Sequence, residues 1–503
     1  MATEIKSLNP QPVWGYFYEL TQIPRPTGKM EAVTRYMMEF GKTLNLETKQ
    51  DEVGNVIICK PATPGFEDRQ PVVLQSHLDM VCQKNLGVEH DFGKDAIKTY
   101  IDGDWVKAQD TTLGADNGIG VALAMAVLAD NSLKHGPLEA LFTIDEEVGM
   151  DGAFGLKPGF VNGRLLLNCD SEGEGQIFVG CAGGADLNIS FQYKKGAPLL
   201  NGDVAVRLFL SGLKGGHSGL DIHIGRANAN KLMFRLLKVA VRDYGVRLAL
   251  MNGGSARNAI PREAEAVITL PQENVELLWE LVSDYQDLYR AEYAGVEDNI
   301  QFVAEMTDAP FTLIPEEMQD DLINAVEGCQ NGVATMLSDF PDKVESSSNL
   351  SIVKSSEGLI AIQILVRSAS ESRKAALLSA LESVFSLAGA KVEFGGAYNG
   401  WQPDINSPLL QVMKDTFAKL YGKQPEVTVM HAGLECGIIQ GIFPDMDMVS
   451  FGPELKDPHS PREKVSISSV ARTWDYLVAI LENIPDNYEL RITNYESAQT
   501  GNV

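Results

Sequence analysis

Acidic or histidine side chains lie next to short apolar segments at five places in this chain. Each apolar segment has the length and composition of a buried strand or leads into a helix. Histidine and carboxylate groups fixed where strands end are what a hydrolytic metal site requires. The candidates are His77 after 72–76, Asp116 before a helix from 118, Glu147 after 140–144, Asp170 after 165–168, and His459 in a Gly/Pro-rich loop after 446–451.

Each motif taken alone has an ordinary structural explanation. His77 could be a structural or surface histidine, and the acidic run 145–147 could be a solvated charged segment. Asp116 could simply lie at the positive end of the helix that follows it. The chain has only 7 histidines, and two of them fall at strand ends of this kind. The coincidence of five positions therefore argues for a shared site more strongly than any single position does.

The composition excludes several classes of function. Asp and Glu outnumber Lys and Arg by 68 to 42, and the net charge of −26 disfavours binding to nucleic acid or to anionic membranes. We find no apolar segment long enough to cross a membrane and no signal-peptide pattern at the N-terminus. The 6 cysteines are scattered without a C-x-x-C pair. These features predict a cytoplasmic protein with reduced cysteines.

The predicted strands and helices that would position these residues lie in two parts of the chain, separated by an insertion. Strands alternate with helices over residues 1–185 and again over 398–503, which predicts one α/β domain with a mostly parallel central sheet and flanking helices. Residues 186–397 would be an inserted α+β domain made of two similar halves. The first half would run from a strand at 203–210 to a helix at 272–290, and the second from a strand at 300–306 to a helix at 370–388.

Five motifs carry a resemblance to a known group of enzymes. The segments SHLDM (76–80), GADNGIG (114–120), DEEVGM (145–150), NCD (168–170) and DPHSP (457–461) resemble the co-catalytic zinc aminopeptidase, carboxypeptidase and dipeptidase superfamily. The segments 103–117 and 431–437 are similar to signatures of the aminoacyl-histidine dipeptidases, also called cytosol non-specific dipeptidases. The similarity covers essentially the whole length. It implies a zinc-peptidase-like catalytic domain and a lid domain of two ferredoxin-like repeats.

The resemblance also implies a role for each candidate ligand. His77 and Asp170 would hold one metal ion, Glu147 and His459 the other, and Asp116 would bridge both, with a cis peptide bond after it. Two Zn²⁺ ions are expected, although Mn or Co would suit the same ligands. Asp79 would accept the free N–H of the His77 ring. Glu146 would take a proton from the attacking water and pass it to the leaving amine.

The lid domain is expected to supply further groups. His217 resembles the lid histidine that stabilises the oxyanion, and Arg367 would bind the substrate carboxylate through its planar guanidinium. We expect Asn349 to contact the substrate and Asn258 to be a structural remnant, without excluding a substrate contact for Asn258. His431 and Glu435 would either bind the substrate or support residues that do.

These implications predict a metallopeptidase that hydrolyses dipeptides, including Xaa-His dipeptides such as β-alanyl-histidine. One alternative is a deacylase of acyl-amino acids, or an exopeptidase on longer peptides, that uses the same metals. Another is a binding module without activity, which the presence of Glu146 and all five ligand candidates disfavours. A small peptide is the expected partner, and the oligomeric state stays open, with a homodimer as one option.

Overall fold

The computed structural model describes residues 5–486. Its α-helices are α1 (Gln11–Thr21), α2 (Glu31–Thr43), α3 (Ala115–Ala129), α4 (Glu146–Gly149), α5 (Asp151–Gly155), α6 (Ala229–Tyr244), α7 (Val275–Glu292), α8 (Glu316–Gly328), α9 (Glu371–Leu387), α10 (Pro408–Tyr421), α11 (Glu435–Ile442) and α12 (Ile467–Asn483). Within residues 5–486, no helix combines the length and the apolar composition that crossing a bilayer requires.

The strands complete the secondary structure. They are β1 (Glu47–Gln50), β2 (Val56–Lys60), β3 (Val72–His77), β4 (Thr99–Asp102), β5 (Trp105–Ala108), β6 (Leu138–Thr143), β7 (Leu165–Asn168), β8 (Gln176–Cys181), β9 (Gly183–Gln192), β10 (Asp203–Ser211), β11 (Gly216–His217), β12 (Arg247–Gly253), β13 (Ala259–Ile260), β14 (Ala264–Pro271), β15 (Gln301–Met306), β16 (Gly332–Met336), β17 (Val344–Ser356), β18 (Leu359–Ser368), β19 (Lys391–Tyr398), β20 (Glu426–Met430), β21 (Asp447–Ser450), β22 (Leu455–Lys456) and β23 (Lys464–Ser466).

The chain divides into two compact units. The first unit extends to Gly180 and also contains Pro403–Val429 and the chain from Leu434 onward, and the inserted unit contains Cys181–Gln402 and Met430–Gly433. The sequence places the boundaries at 185/186 and 397/398, close to these positions. It does not assign Met430–Gly433 to the insertion. The N–H of Ala182 donates to the carbonyl of Met430 at 3.0 Å, which ties this segment to the inserted unit.

The first unit is built on an eight-stranded sheet with the order β1-β2-β6-β3-β7-β21-β8-β20. The four central strands β6, β3, β7 and β21 are parallel, and β1, β2 and β8 pair antiparallel with their neighbours. Every residue of β3 and β6 is buried. The apolar runs of the sequence thus form a sheet that is covered on both faces, as the α/β prediction requires.

A second, smaller sheet in the first unit was not predicted. Strands β22, β23, β5 and β4 form four antiparallel neighbours in that order. Helix α12 begins directly after β23, and the hydroxyl of Ser466 caps it by accepting from the N–H of Ser469 at 3.2 Å. The loop between β22 and β23 carries His459, so this sheet anchors both ends of the loop that holds a candidate ligand.

The inserted unit contains two ferredoxin-like repeats in one continuous sheet, which confirms the predicted fold. Its strand order is β15-β10-β14-β12-β17-β18-β9-β19. The first repeat, β10-α6-β12-β14-α7-β15, has the antiparallel arrangement of a βαββαβ unit. The second repeat uses β9, α8, β17, β18, α9 and β19. The apolar faces of their helices contribute Leu236 and Phe385 to one buried core.

The two repeats are nested, and the predicted tandem order is wrong. The strand at 300–306 was expected to begin the second half, but β15 pairs with β10 and closes the first repeat. The second repeat begins instead with β9, and the whole first repeat lies in the chain between β9 and α8. Periodicity predicts each strand separately but does not show which strands pair, so a strand between two repeats can be assigned to either.

Candidate metal centre and substrate-binding residues

Two groups of potential metal ligands in the first unit share the carboxylate of Asp116. One group adds His77 and Asp170, the other adds Glu147 and His459, and in each group the ligand atoms lie within 4.8 Å of one another. Nε2 of His77 lies 3.0 Å from Oδ1 of Asp116, and Nε2 of His459 lies 3.0 Å from its Oδ2. One carboxylate therefore presents an oxygen to each group, as a bridging ligand does.

The parallel strands explain why these residues meet. His77 ends β3, Asp170 lies two residues after β7, and Glu147 lies in α4 just after β6. Since β6, β3 and β7 are adjacent and parallel, their carboxyl ends lie at one edge of the sheet. Asp116 lies in the first turn of α3, and the peptide bond between Asp116 and Asn117 is cis, as the resemblance predicts.

The electrostatics of this cluster fit divalent cations. Burial raises the pKa of Asp170 to about 6 even though His77 acts against it, while hydrogen bonds to Asp116 and Glu147 raise the pKa of His459 to about 11. Oε1 of Glu147 is buried and has no hydrogen-bond partner among residues 5–486. Three carboxylates whose side chains are only 4–14% exposed lie around two imidazoles and need compensating positive charge. This donor set of His and carboxylate oxygens is one that Zn²⁺ prefers.

Asp79 contacts the side chain of His77 and the backbone of Glu146 and Glu147. Its Oδ1 lies 3.3 Å from Nδ1 of His77, the position expected for orienting the ring. The same carboxylate accepts from the backbone N–H of Glu146 at 3.0 Å and of Glu147 at 3.1 Å. Burial raises the pKa of Asp79, but the interaction with His77, followed by the two backbone N–H groups, outweighs burial and brings the pKa to about 2. The resemblance predicts the contact with His77, whereas the hydrogen bonds to the backbone of α4 are seen only in the structure.

Glu146 lies close to the candidate ligands but is in neither of the two ligand groups that contain Asp116. Its side chain falls in a separate set with His77 and Glu147, also within 4.8 Å. Burial raises its pKa well above the ordinary value, His77 lowers it, and nearby carboxylates including Asp170 raise it further. A carboxylate with an elevated pKa next to the ligands is suited to accept a proton and then release it.

A buried polar network lies behind the ligands. Glu435 is fully buried, and its Oε2 accepts from Nε2 of Gln75 at 2.6 Å and from Oγ1 of Thr143 at 2.7 Å. Gln75 in turn accepts from Nδ2 of Asn168 at 2.5 Å, and Asn168 accepts from the hydroxyl of Ser450. The partners of the network lie on β3 (Gln75), β6 (Thr143), β7 (Asn168) and β21 (Ser450), and Glu435 begins α11. The network thus joins the strands that lead to the ligands. Of its two expected roles, this position favours support over substrate contact for Glu435.

In the inserted unit, Arg367 has a charge available for an anionic ligand. The residue is 5% exposed, and its Nη1 donates to the hydroxyl of Tyr398 at 2.9 Å. Among residues 5–486, no carboxylate lies within ion-pair distance of its guanidinium. Tyr398 was not singled out in the sequence, because its contact depends on β19 lying beside β9, which no local pattern indicates.

His217 lies near Arg367 and has a defined tautomer. Its Nδ1 accepts from the backbone N–H of Gly219 at 3.1 Å and of Leu220 at 3.0 Å. The ring hydrogen must therefore be on Nε2, which becomes a donor. Burial and then the charge of Arg367 lower the pKa of His217 to about 4. The ring is neutral near pH 7 and can donate one hydrogen bond, as an oxyanion-stabilising group does.

The other candidates of the inserted unit differ in accessibility. His431 places Nε2 2.7 Å from the hydroxyl of Ser347, and burial, followed by Arg367, lowers its pKa to about 3. Asn349 is 1% exposed and donates to the carbonyl of Ala259 at 2.8 Å. Asn258 is exposed, and its carbonyl accepts from the N–H of Ser218, next to His217, at 2.8 Å. The geometry thus favours Asn258 over Asn349 for a substrate contact.

Comparisons with known proteins identify relatives of this chain. Residues 73–483 match the model of peptidase family M20/M25/M40. The chain is 45% identical over 483 residues to the cytosol non-specific dipeptidase of Escherichia coli strain K12, covering 96% of this chain and 99% of that protein.

Solved structures give the same result. The aminoacylhistidine dipeptidase of Vibrio alginolyticus superimposes with a TM-score of 0.90 at 45% identity, covering 97% of this chain and 100% of that one. An aminopeptidase from Bacillus cereus, 17% identical with a TM-score of 0.56 over 95% of this chain and 99% of that one, shares the fold. The predicted family is confirmed: the chain belongs to peptidase family M20/M25/M40.

Proposed function

We propose that this protein is a two-metal dipeptidase whose substrates include Xaa-His dipeptides such as β-alanyl-histidine. The observation that carries the proposal is the Asp116 carboxylate, which offers one oxygen to each of two His-carboxylate groups. The substrate class is supported by 45% identity to a cytosol non-specific dipeptidase across nearly the full length of both chains.

In the proposed arrangement, His77 and Asp170 hold one cation and Glu147 and His459 hold the other, with Asp116 shared. Bound divalent cations would polarise the scissile carbonyl and acidify the attacking water. Glu146 accepts the proton of that water and delivers it to the leaving amine. Asp79 keeps the ring of His77 and the backbone of Glu146 in place, because its Oδ1 contacts both.

The inserted unit is proposed to recognise the substrate. The neutral Nε2–H of His217 stabilises the negative charge that develops on the carbonyl oxygen. Arg367 binds the free C-terminal carboxylate, since no carboxylate of residues 5–486 forms an ion pair with its buried guanidinium. Since that carboxylate must be close to the cleaved bond, dipeptides are preferred over longer peptides.

We propose Zn²⁺ as the resident metal and the cytoplasm as the location. His and carboxylate ligands support Zn²⁺ but also accept Mn²⁺ or Co²⁺. The location is supported by the six cysteines, which form no disulfide within residues 5–486, as expected of a reducing compartment. The related dipeptidase of Escherichia coli carries the word cytosol in its name.

The test combines metal analysis with a substrate panel. The purified protein should contain two equivalents of metal, lose activity on chelation and regain it with Zn²⁺. It should cleave β-alanyl-histidine and other dipeptides faster than tri- and tetrapeptides or N-acyl amino acids. Full activity in the metal-free protein would refute the metal role. Preference for N-acyl amino acids would instead identify a deacylase, and preference for longer peptides an exopeptidase.

A further inference from the structure

Four consecutive backbone N–H groups of the first unit converge on the side chain of Glu463. Oε2 accepts from Leu113 at 2.8 Å and Gly114 at 3.0 Å, and Oε1 accepts from Ala115 at 2.7 Å and Asp116 at 3.2 Å. Glu463 is only 2% exposed. One buried carboxylate thus fixes the whole backbone segment that leads into the shared ligand Asp116.

Arg25 holds the same segment from its carbonyl side. This residue is 2% exposed and donates to the carbonyl oxygens of Leu78 and Asp79 at 3.0 Å each, and to that of Gly114. A side chain at position 114 would collide with the guanidinium, since a Cβ there would lie 2.5 Å from Nη2, and φ is +68°. The segment is therefore clamped between a buried anion and a buried cation.

The clamp determines where the carboxylate of Asp116 points. Asp116 and Asn117 have non-helical backbone angles although they lie within α3. The N–H of Asp116 lies in the first turn of the helix, has no i→i−4 acceptor and donates to Glu463 instead, while the N–H of Gly118 donates to the carbonyl of Gly114 at 3.2 Å. A small rotation of this segment would move both oxygens of Asp116, which lie 3.0 Å from the rings of His77 and His459.

We propose that Glu463 is a positioning residue that sets the bridging geometry of Asp116 and thereby the affinity for the metal pair. The proposal rests on the proposed function, in which Asp116 is the shared ligand. It extends that function to a residue four positions after His459 that contacts no candidate ligand atom. Hydrogen-bonding partners behind metal ligands typically change metal affinity by about 10–100-fold when they are altered.

Glutamine at position 463 removes the clamp with little change in volume. Each oxygen of Glu463 accepts two N–H groups, so the amide nitrogen of glutamine would face two donors in either orientation. Glu139 offers a matched control. It is also buried and accepts from the N–H groups of Asn162 at 2.9 Å and Gly163 at 3.0 Å, but these belong to a loop that carries no candidate ligand.

The experiment measures Zn²⁺ binding by the full-length protein. Wild type, Glu463→Gln and Glu139→Gln are stripped with a chelator and titrated with Zn²⁺ in competition with a chromophoric chelator, and their thermal midpoints are recorded without metal. We expect both variants to lose thermal stability, but only Glu463→Gln to bind at least one Zn²⁺ about 10–100-fold more weakly. In an Asp116→Ala background, Glu463→Gln should cause no further loss of affinity.

Several outcomes would overturn the proposal. Wild-type affinity in Glu463→Gln, or an equal loss in Glu139→Gln, would show that Glu463 is merely structural. An undiminished effect in the Asp116→Ala background would show that it does not act through Asp116. If Glu463→Gln fails to fold, Glu463→Asp, which withdraws the carboxylate by one methylene, must show the same selective loss. Failure of the wild type to bind two Zn²⁺ would instead refute the proposed function itself.

Discussion

Replacing Glu435 by glutamine should stabilise the metal-free protein above pH 7 and leave its stability nearly unchanged at pH 5. The carboxyl group is fully buried, and both of its hydrogen bonds, from Gln75 and Thr143, go to Oε2. The other oxygen, Oε1, has no hydrogen-bond partner in the described part of the chain, residues 5–486. Glutamine can therefore keep its own oxygen at the position of Oε2 and place its amide nitrogen where no donor competes.

The magnitude follows from the cost of ionising this group in the interior. Burial raises the pKa of Glu435 from 4.5 to about 7, although His77 lowers it. Between these values the folded state binds more protons than the unfolded state, so stability falls as the pH rises from about 4.5 to 7. One pKa unit corresponds to 1.36 kcal/mol, so the free energy of unfolding of the wild type should fall by about 3 kcal/mol over this pH range. The Glu435→Gln variant has no such group and should not show this loss.

Alanine at the same position should behave differently. It leaves the side chains of Gln75 and Thr143 without their acceptor, and an unsatisfied buried donor costs about 1–3 kcal/mol. Glu435→Ala should therefore be less stable than Glu435→Gln by about 2–6 kcal/mol at both pH values.

The assay is urea unfolding of the metal-free proteins at pH 5 and pH 8, after treatment with a chelator. The free energy of unfolding is obtained from the urea midpoint and the slope m. Bound metal must be absent, since nearby cations would lower the pKa of Glu435. If the free energies of unfolding of wild type and Glu435→Gln change equally from pH 5 to pH 8, the idea that the buried Glu435 carboxyl ionises in this range is refuted. Equal stability of the Gln and Ala variants would refute the role of the two hydrogen bonds.

Three further predictions concern the site. Glu146→Gln should retain both metals but lower kcat by about 10²–10⁴-fold; near-normal turnover with metal bound would exclude Glu146 as the proton acceptor. Arg367→Lys and Arg367→Ala should raise KM sharply for free dipeptides but little for their C-terminal amides, and equal losses on both would contradict carboxylate binding. Asn258→Ala should lower kcat/KM without changing the thermal midpoint. Asn349→Ala should instead lower the midpoint, because it removes the hydrogen bond to Ala259, and the reverse pattern would restore Asn349 as the substrate contact.

The ligand candidates could be predicted from sequence because their positions follow from local pattern. A buried strand is recognisable by its apolar run, and the ends of adjacent parallel strands meet at one edge. His77 and Asp170 were therefore placed by strand assignments that needed no knowledge of neighbouring side chains. The resemblance added the pairing of ligands, and the structure places His459 and Glu147 3.0 Å apart.

The supporting residues could not be predicted in the same way. Gln75, Thr143 and Asn168 contact one another or Glu435 only because the sheet order is β6-β3-β7. In sequence each is an isolated polar residue in an apolar strand. Glu463 also looks like a surface charge near a proline, and only the fold brings 113–116 to it.

The sequence favours Asn349 over Asn258 because the strand that follows Asn349 ends in Arg367, whereas the strand that follows Asn258 carries no arginine. The structure places the two asparagines in different surroundings. In the structure Asn349 lies within β17, between β12 and β18 in the middle of the continuous sheet, where its amide satisfies the carbonyl of Ala259. Asn258 precedes the short strand β13, which pairs with β11 and so with His217. Because an interior strand must satisfy its polar groups internally, a substrate contact is expected at the exposed asparagine beside His217.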